Sequence, residues 1–254
     1  MAEHVRIERS EDGVLAITLA RPESRNAITV AMYSALAEAI ESASDDAELR
    51  IITIRGDGQD FTAGNDLRDF AEALPRASDE IPVSRLLRAL ARNTVPLVAA
   101  VQGNAVGIGT TMLLHCDLVI AADSARFRMP FVDLGLVPEA ASSLLLPRLT
   151  GRRRAARYLL LGEPFGAEVA LGAGIVSHMV ADADLGHALS DVVEALLAKP
   201  AEALRLTQKL LRHSTTEETL DRIALENGFF TERLKSAEVQ AAIAAFFERK
   251  AGEP

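Results

Sequence analysis

Three short stretches carry groups whose types and spacing could do chemistry. Phe61-Thr62-Ala63-Gly64-Asn65-Asp66 and Gly103–Gly109 are glycine-bearing loops. Each follows an apolar run of buried-strand type, Ile51–Ile54 and Pro96–Val101. Glycine lets a backbone turn tightly and lets amide groups approach a ligand. A loop that opens a short helix also points unpaired N–H groups outward, which suits an oxyanion. Two such loops supply one donor each, a minimal oxyanion hole; the plainer alternative is that these glycines only make turns. The third stretch is Leu134–Ser143, where Glu139 sits among Val137, Ala140 and Ala141 ahead of an apolar helix. A carboxylate in apolar surroundings has a raised pKa and becomes a better base near neutrality. Its plainer role is to meet the dipole of that helix.

Other chemistries find no motif. Gly107-Ile108-Gly109-Thr110-Thr111-Met112 has methionine where a dinucleotide fingerprint needs its third glycine. No Gly-Lys-Ser/Thr follows Gly103 or Gly107, and neither Gly-x-Ser-x-Gly nor His-Glu-x-x-His occurs. The histidines His4, His115, His178, His187 and His213 lack ligand spacing and read as surface or packed residues, so no metal is expected. Cys116 is the only cysteine, which excludes a disulfide framework and a cysteine-based zinc site and marks it as a packed small hydrophobe.

Composition narrows the partners. With 27 Lys+Arg against 36 Asp+Glu the net charge is −9, which argues against nucleic acid as a general partner. No apolar run approaches the ~20 residues of a membrane span. The first residues mix both charge signs, and the last four, Ala251-Gly252-Glu253-Pro254, are not a peroxisomal address. The expected location is the cytoplasm.

The elements that must position the loops and Glu139 follow from periodicity. Val5–Glu8 and Val14–Leu19 read as a hairpin over the turn Glu11-Asp12-Gly13. Thr29 caps a helix to about Ala43, with apolar residues at Ala31, Met32, Ala35, Leu36, Ala39 and Ile40. Helices are expected at Leu67–Ala73 and Val83–Asn93, a loop at Gly103–Gly109, a short helix at Thr110–His115 and a strand at Asp117–Ala121. Further on come helices near Ala141–Leu149, Arg152–Leu161 and Ala167–Gly172, a strand at Ile175–Val180 and a helical stripe over Asp182–Ala198. Everything from Pro200 onward is helix-like, and it holds four of the nine phenylalanines, Phe229, Phe230, Phe246 and Phe247. Such a tail exposes apolar surface unless it packs on a body or a neighbour, so a subunit interface is expected there.

Arg21-Pro22-Glu23-Ser24-Arg25-Asn26-Ala27, Phe61–Leu67, Pro96–Gly107, His115-Cys116-Asp117-Leu118 and Pro130–Pro147, in this order and spacing, resemble the crotonase superfamily, the enoyl-CoA hydratase/isomerase family, along essentially the whole chain. The resemblance implies an α/β fold, a spiral of β-β-α repeats over residues 1–195 with an acyl-CoA pocket. A helical C-terminal region, 196–254, would form trimers or hexamers. It implies an acyl-CoA thioester as substrate, with no cofactor beyond the CoA that the substrate carries. The thioester oxygen would lie between the N–H groups of Ala63 and Ile108. Ser24, Arg25, Ala27, Asp66 and Leu67 would border the CoA, and Gly107, Thr111 and Phe131 the acyl group. Lys250 would reach a neighbour's phosphate, and Arg21, Arg25 and the Arg148–Arg157 group would make basic patches on a negative whole.

Departures from the family pattern decide the expected chemistry. The two hydratase glutamates correspond to Thr111 and Phe131, neither of which can act as a base. Glu139 falls where the 3,2-enoyl-CoA isomerases of the family carry their single catalytic glutamate. The expected reaction is therefore isomerisation of a 3-enoyl-CoA to the 2-trans-enoyl-CoA in fatty-acid degradation. The alternatives are a hydratase that uses Asp133 and a non-catalytic acyl-CoA-binding paralogue.

Overall fold

The computed structural model describes residues 4–66, 68, 69 and 82–251. Most of the helix expected at Leu67–Ala73, with Leu67 itself, lies outside the described residues. β1 (Val5–Arg9) and β2 (Val14–Leu19) form the antiparallel hairpin, in register from Val5 opposite Leu19 to Arg9 opposite Leu15. The chain then crosses over through α1 (Val30–Asp45), whose first turn is capped by the Thr29 hydroxyl accepting from the Met32 N–H at 3.3 Å. β3 (Ile51–Gly56) lies parallel to β2, and α2 (Pro82–Arg92) leads to β4 (Leu97–Val101).

Every residue of β4 is buried. Its continuous apolar run is what a parallel strand covered on both faces requires. On one face lie α1 and α2, whose Tyr33, Leu36, Ile40, Leu86, Leu87 and Leu90 join the main core. On the other, Ile51, Val98 and Ile120 meet α7 (Leu185–Leu197) through Leu185, Leu189, Val192 and Val193.

From β4 onward the chain repeats one device. It makes a strand in the large sheet, turns into a short strand of a second sheet, then enters a helical segment. β4 is followed by β5 (Asn104–Val106), α3 (Ile108–Thr111) and a 3-10 turn at Met112–His115. β6 (Leu118–Ala122) is followed by β7 (Arg126–Arg128), a 3-10 turn at Val132–Leu134, α4 (Ser142–Thr150) and α5 (Arg152–Leu160). β8 (Phe165–Gly166) closes the small sheet and α6 (Ala167–Gly172) follows, before β9 (His178–Val180) completes the large one. Among the described residues the strand orders are β1-β2-β3-β4-β6-β9 and β5-β7-β8. This is the α/β spiral of β-β-α turns with a helical end: α8 (Ala201–Arg212), α9 (Thr216–Leu234) and α10 (Ala237–Ala251).

The small sheet is where reading the sequence fell short. Gly103–Gly109 contains β5 and is not all loop, and β7 and β8 carry no expectation at all. Strands of two or three residues have no periodicity to read; they exist because β5 pairs with β7 in parallel and β7 pairs with β8 antiparallel. The strand expected at Ile175–Val180 shortens to its last three residues, because Ile175 and Val176 donate their N–H groups to Ala170 at the end of α6.

Gly103 shows how tightly the repeat is closed. It sits at φ +54, and a Cβ there would lie 2.1 Å from the Gln59 carbonyl oxygen. Gly103→Ala should lower stability by at least about 2 kcal/mol, through strain and overlap together. Gly172→Ala, whose Cβ would meet nothing within 4 Å, should leave it nearly unchanged. Thermal melts of the two variants check this, with a fall of roughly 4–8 °C expected for the first.

Candidate active site

The two glycine loops are placed side by side by one parallel bridge. Thr62 pairs with Ala105: the Thr62 N–H donates to Asn104 O at 2.9 Å and the Val106 N–H to Thr62 O at 3.0 Å. Two glycines allow this approach, because a Cβ on Gly64 would lie 2.8 Å from Val106 O and one on Gly109 would lie 2.5 Å from Thr62 Cγ2. They are close-packing glycines and not simply turn formers. Gly107 has φ 57 and ψ −118, a conformation reserved for glycine, and from it α3 starts.

Along both strands of the bridge, the residue three positions further on presents an amide with no acceptor among the described residues. From Ala105 this is Ile108, the first residue of α3, whose N–H precedes the first intrahelical bond, Thr110 N–H to Gly107 O. From Thr62 it is Asn65. The Ala63 N–H, expected to be the second donor, is engaged with Arg25 O at 2.9 Å, so this assignment is corrected. Parallel pairing of Ile28 with Asn65 uses Gly64 O and the Asp66 N–H and leaves the Asn65 N–H without an acceptor among the described residues. Gly64, at φ 91 between them, breaks the extended run and turns the amides of Ala63 and Asn65 to different neighbours, a detail that the residue types do not encode.

The Asn65 side chain is held as well. Its Oδ1 accepts from the Tyr33 hydroxyl of α1. Tyr33 is fully buried, and its pKa stands well above the usual tyrosine value because of burial and then the neighbouring charge of Glu139. That electrostatic link ties the Asn65 loop to the carboxylate.

Glu139 is 3% exposed, and its Oε1 has no hydrogen-bond partner among the described residues. Burial first, and the negative charge of Glu226 second, push its pKa up to about 8. The residue stands on a strained turn, since Ala140 and Ala141 both adopt left-handed conformations, at φ 59 and 55. Each such residue costs roughly 1–2 kcal/mol, and hydrogen bonds from three directions hold the pair. The Ser142 N–H returns to Glu139 O at 3.0 Å. His115 Nε2–H donates to Ala140 O at 2.8 Å; burial lowers the His115 pKa to about 4, so the ring is neutral. Glu226 of α9 accepts from the Ala141 N–H at 2.6 Å, the Ser143 N–H at 3.0 Å and the Ser143 hydroxyl at 2.5 Å.

His115 was read as a packed histidine, and Glu226 was not singled out. A signal for Glu226 exists: it lies on the buried face of α9 with Thr219 and Ile223. A carboxylate on an apolar stripe requires a partner.

The remaining expected residues are spread more widely. Thr111 is fully buried on α3 with its hydroxyl unpartnered, and Phe131 is buried just before the 3-10 turn at Val132. Neither position carries a carboxylate. Asp133 is half-exposed and paired with Arg128 at 3.0 Å, so it is engaged at the surface. Ser24 closes the 3-10 turn Pro22–Ser24, and its carbonyl accepts from the Ala27 N–H. Asp66 takes the Arg21 guanidinium at 2.6 Å and the N–H groups of Arg68 and Asp69, while Arg21 also reaches Ala27 O.

The basic patches thin out accordingly. Arg21 is paired with Asp66, Arg148 with Glu218 and Arg157 with Glu163. Arg25, with its side chain 73% exposed and 4.0 Å from Asp60, keeps most of its charge facing solvent. Among the described residues no helix is long and apolar enough to cross a membrane, and no group of three His, Cys, Asp or Glu side chains is placed to hold a metal.

The raised pKa of Glu139 has a stability consequence. Its native state binds a proton more tightly than the unfolded chain does, so stability is fully present below about pH 4.5 and is lost as pH rises through about 8. Glu139→Gln carries no such loss. Its melting temperature should pull ahead of the parent's as pH rises from 5 to 8, approaching an advantage of order 4 kcal/mol at about 1.4 kcal/mol per pKa unit. Parallel melts of the two proteins across that range check the sign.

With this geometry in hand, comparison with known proteins is direct. The family described as Enoyl-CoA hydratase/isomerase matches residues 9–253. The chain is 33% identical over 246 residues to 1,2-epoxyphenylacetyl-CoA isomerase of Escherichia coli (strain K12), covering 94% of each chain. It is 34% identical over 252 residues to a probable enoyl-CoA hydratase of Rhodobacter capsulatus, covering 97% of this chain and 95% of that one. A crystal structure of an enoyl-CoA hydratase/isomerase from Pseudoalteromonas atlantica T6c matches with a TM-score of 0.91 and 39% identity, over 97% of this chain and 98% of that chain. Relatives carry both the isomerase and the hydratase names. A family match over residues 9–253, with relatives a third identical over most of both chains and the same fold in a solved relative, makes this protein a member of the enoyl-CoA hydratase/isomerase family.

Proposed function

We propose that the protein isomerises a 3-enoyl-CoA to the 2-trans-enoyl-CoA, with Glu139 as the single proton carrier. The observation that carries this reading is one buried, under-bonded carboxyl group, Glu139, in a site where Thr111 and Phe131 hold the positions of the hydratase carboxylates. Addition of water across a double bond needs groups that hold and split that water. A shift of the double bond needs only one base that later acts as the acid.

In the mechanism, the thioester oxygen accepts from the Asn65 and Ile108 amides. Ionised Glu139 takes a proton from C2; the C–H bonding pair forms a C1=C2 double bond and the carbonyl pair moves onto the thioester oxygen, which gives a dienolate conjugated with C3=C4. The two N–H groups hold that developing charge; removing one such donor typically costs ~10²–10³ in rate. The protonated Glu139 then delivers its proton to C4, so the carboxylate is regenerated and the double bond lies between C2 and C3. Exclusion of water keeps the proton on one carboxyl group between the two transfers.

Ser24, Arg25, Ala27 and Asp66 border the CoA in this reading, and Gly107, Thr111 and Phe131 line the acyl side. The reaction fits fatty-acid degradation. Leu206, Leu210, Leu211, Leu225 and Phe229 of α8 and α9 are exposed. Their exposure supports assembly into a trimer, or a hexamer of two trimers, that would cover them.

A time course with a 3-enoyl-CoA tests the reading: absorbance of the conjugated thioester should appear and persist. Appearance followed by decay would add hydration, and no turnover with retained binding would leave only an acyl-CoA-binding protein. Glu139→Gln should lower kcat by at least about 10³-fold, and an undiminished rate overturns the proposal. For the parent, kcat/KM should rise with pH and level off above about 8, since only ionised Glu139 abstracts the proton.

A further inference from the structure

The C-terminal helices contribute more than exposed apolar surface. Glu226 is 5% exposed and reaches from α9 to the turn after Glu139, where its two oxygens accept from the N–H groups of Ala141 and Ser143 and from the Ser143 hydroxyl. Burial raises the Glu226 pKa, but all three partners are donors and Arg222 is a nearby cation, and these favour the ionised acceptor. Arg222, one turn earlier on α9, donates to the same Ser143 hydroxyl at 3.1 Å. No side chain from the residue preceding α4 caps that helix, because its N-cap is Ala141. Glu226 supplies the missing cap from a helix more than eighty residues away in sequence.

We propose that Glu226 is a positioning residue for Glu139, its carboxylate clamping the left-handed Ala140–Ala141 turn so that the Glu139 carboxyl faces the two free amides. This rests on the reading of Glu139 as the proton carrier. Without the clamp, the Ala141 and Ser143 N–H groups lose their acceptor, and two consecutive non-glycine residues in left-handed geometry rely on the His115 contact and the N–H groups of Ser142, Leu144 and Leu145. A carboxyl group that drifts by an ångström loses its line to the substrate carbon, and losses of about 10²-fold follow from such displacements. The clamp also carries a charge that a neutral cap lacks, and Glu139 feels it.

The other ionisable groups around the turn leave Glu226 as its negative neighbour. Tyr33 on α1 stays neutral, and so does His115, behind which Arg212 of α8 is bonded to Asp117 and to His115 O. On the helices packed against α9, Arg85 of α2 is paired with Glu41, and Glu238 of α10 with Arg233.

The test combines Glu226→Gln and Arg222→Gln with two readouts. One is the ¹³C titration of the Glu139 carboxyl group in ligand-free protein, assigned by its loss in Glu139→Gln. The other is the rate on a 3-enoyl-CoA. In Glu226→Gln the midpoint should move down from about 8, and kcat should fall by about 10- to 100-fold with KM nearly unchanged. In Arg222→Gln, which removes a cation and leaves the clamp, the midpoint should move up. A structural role alone would lower the yield or the melting temperature and leave the midpoint where it was. An unmoved midpoint in the folded Glu226→Gln protein, or in Arg222→Gln should the former not fold, overturns the inference. If the parent does not turn over 3-enoyl-CoA, the isomerase reading falls, while the titration still decides the role of Glu226.

Discussion

A carboxyl group kept out of water is the constraint around which this structure is arranged. Charging a buried group is unfavourable, so Glu139 holds its proton to about pH 8, and Glu226 strengthens the effect. A side chain in that condition is useful only where it can both take and return a proton in a dry site. Next to it stand two left-handed alanines, and His115, Ser142 and Glu226 hydrogen-bond to that turn. The strain of the turn and the burial of the acid are both unfavourable alone. They persist because the surrounding core and α9 over-determine the conformation.

The facing half of the site depends on backbone register. One parallel bridge, Thr62 to Ala105, sets the two loops in step, and three residues beyond each partner comes an amide with no acceptor among the described residues. Gly64 and Gly109 make the approach possible, because any Cβ would overlap the opposite loop. The small sheet therefore has a role out of proportion to its length. It pairs with the segment that carries Thr62 and so fixes the register between the two glycine loops, and the large sheet with its helices packs around it.

The helical end of the chain joins the site through two side chains. Arg212 of α8 grips Asp117 and the His115 carbonyl, and Glu226 of α9 grips the turn after Glu139. A division of the protein into a catalytic spiral and a separate assembly region thus describes the order of the chain better than it describes the physics. Contacts that hold the base come from both parts.

Much of this was legible in the residues. The large-sheet strands, α1 with its Thr29 cap and the long C-terminal helices follow from apolar periodicity and turn chemistry, which are local properties. Glu139 stood out as a carboxylate in an apolar run, and the two glycine loops stood out by composition. What only the tertiary structure decided is which groups meet. Among the described residues the amide at Asn65 has no acceptor because the parallel bridge to Ile28 uses Gly64 O and the Asp66 N–H, whereas the amide at Ala63 is taken by Arg25 O. β5, β7 and β8 exist only through their pairing, having too few residues to show a period. Glu226 acts on a turn more than eighty residues away, and nothing in the helix around it states where its carboxylate will land. Local sequence determines the conformations that a segment prefers. The partners of its polar groups are set by packing, because an unpaired polar group in a dry interior is too unfavourable to leave to chance.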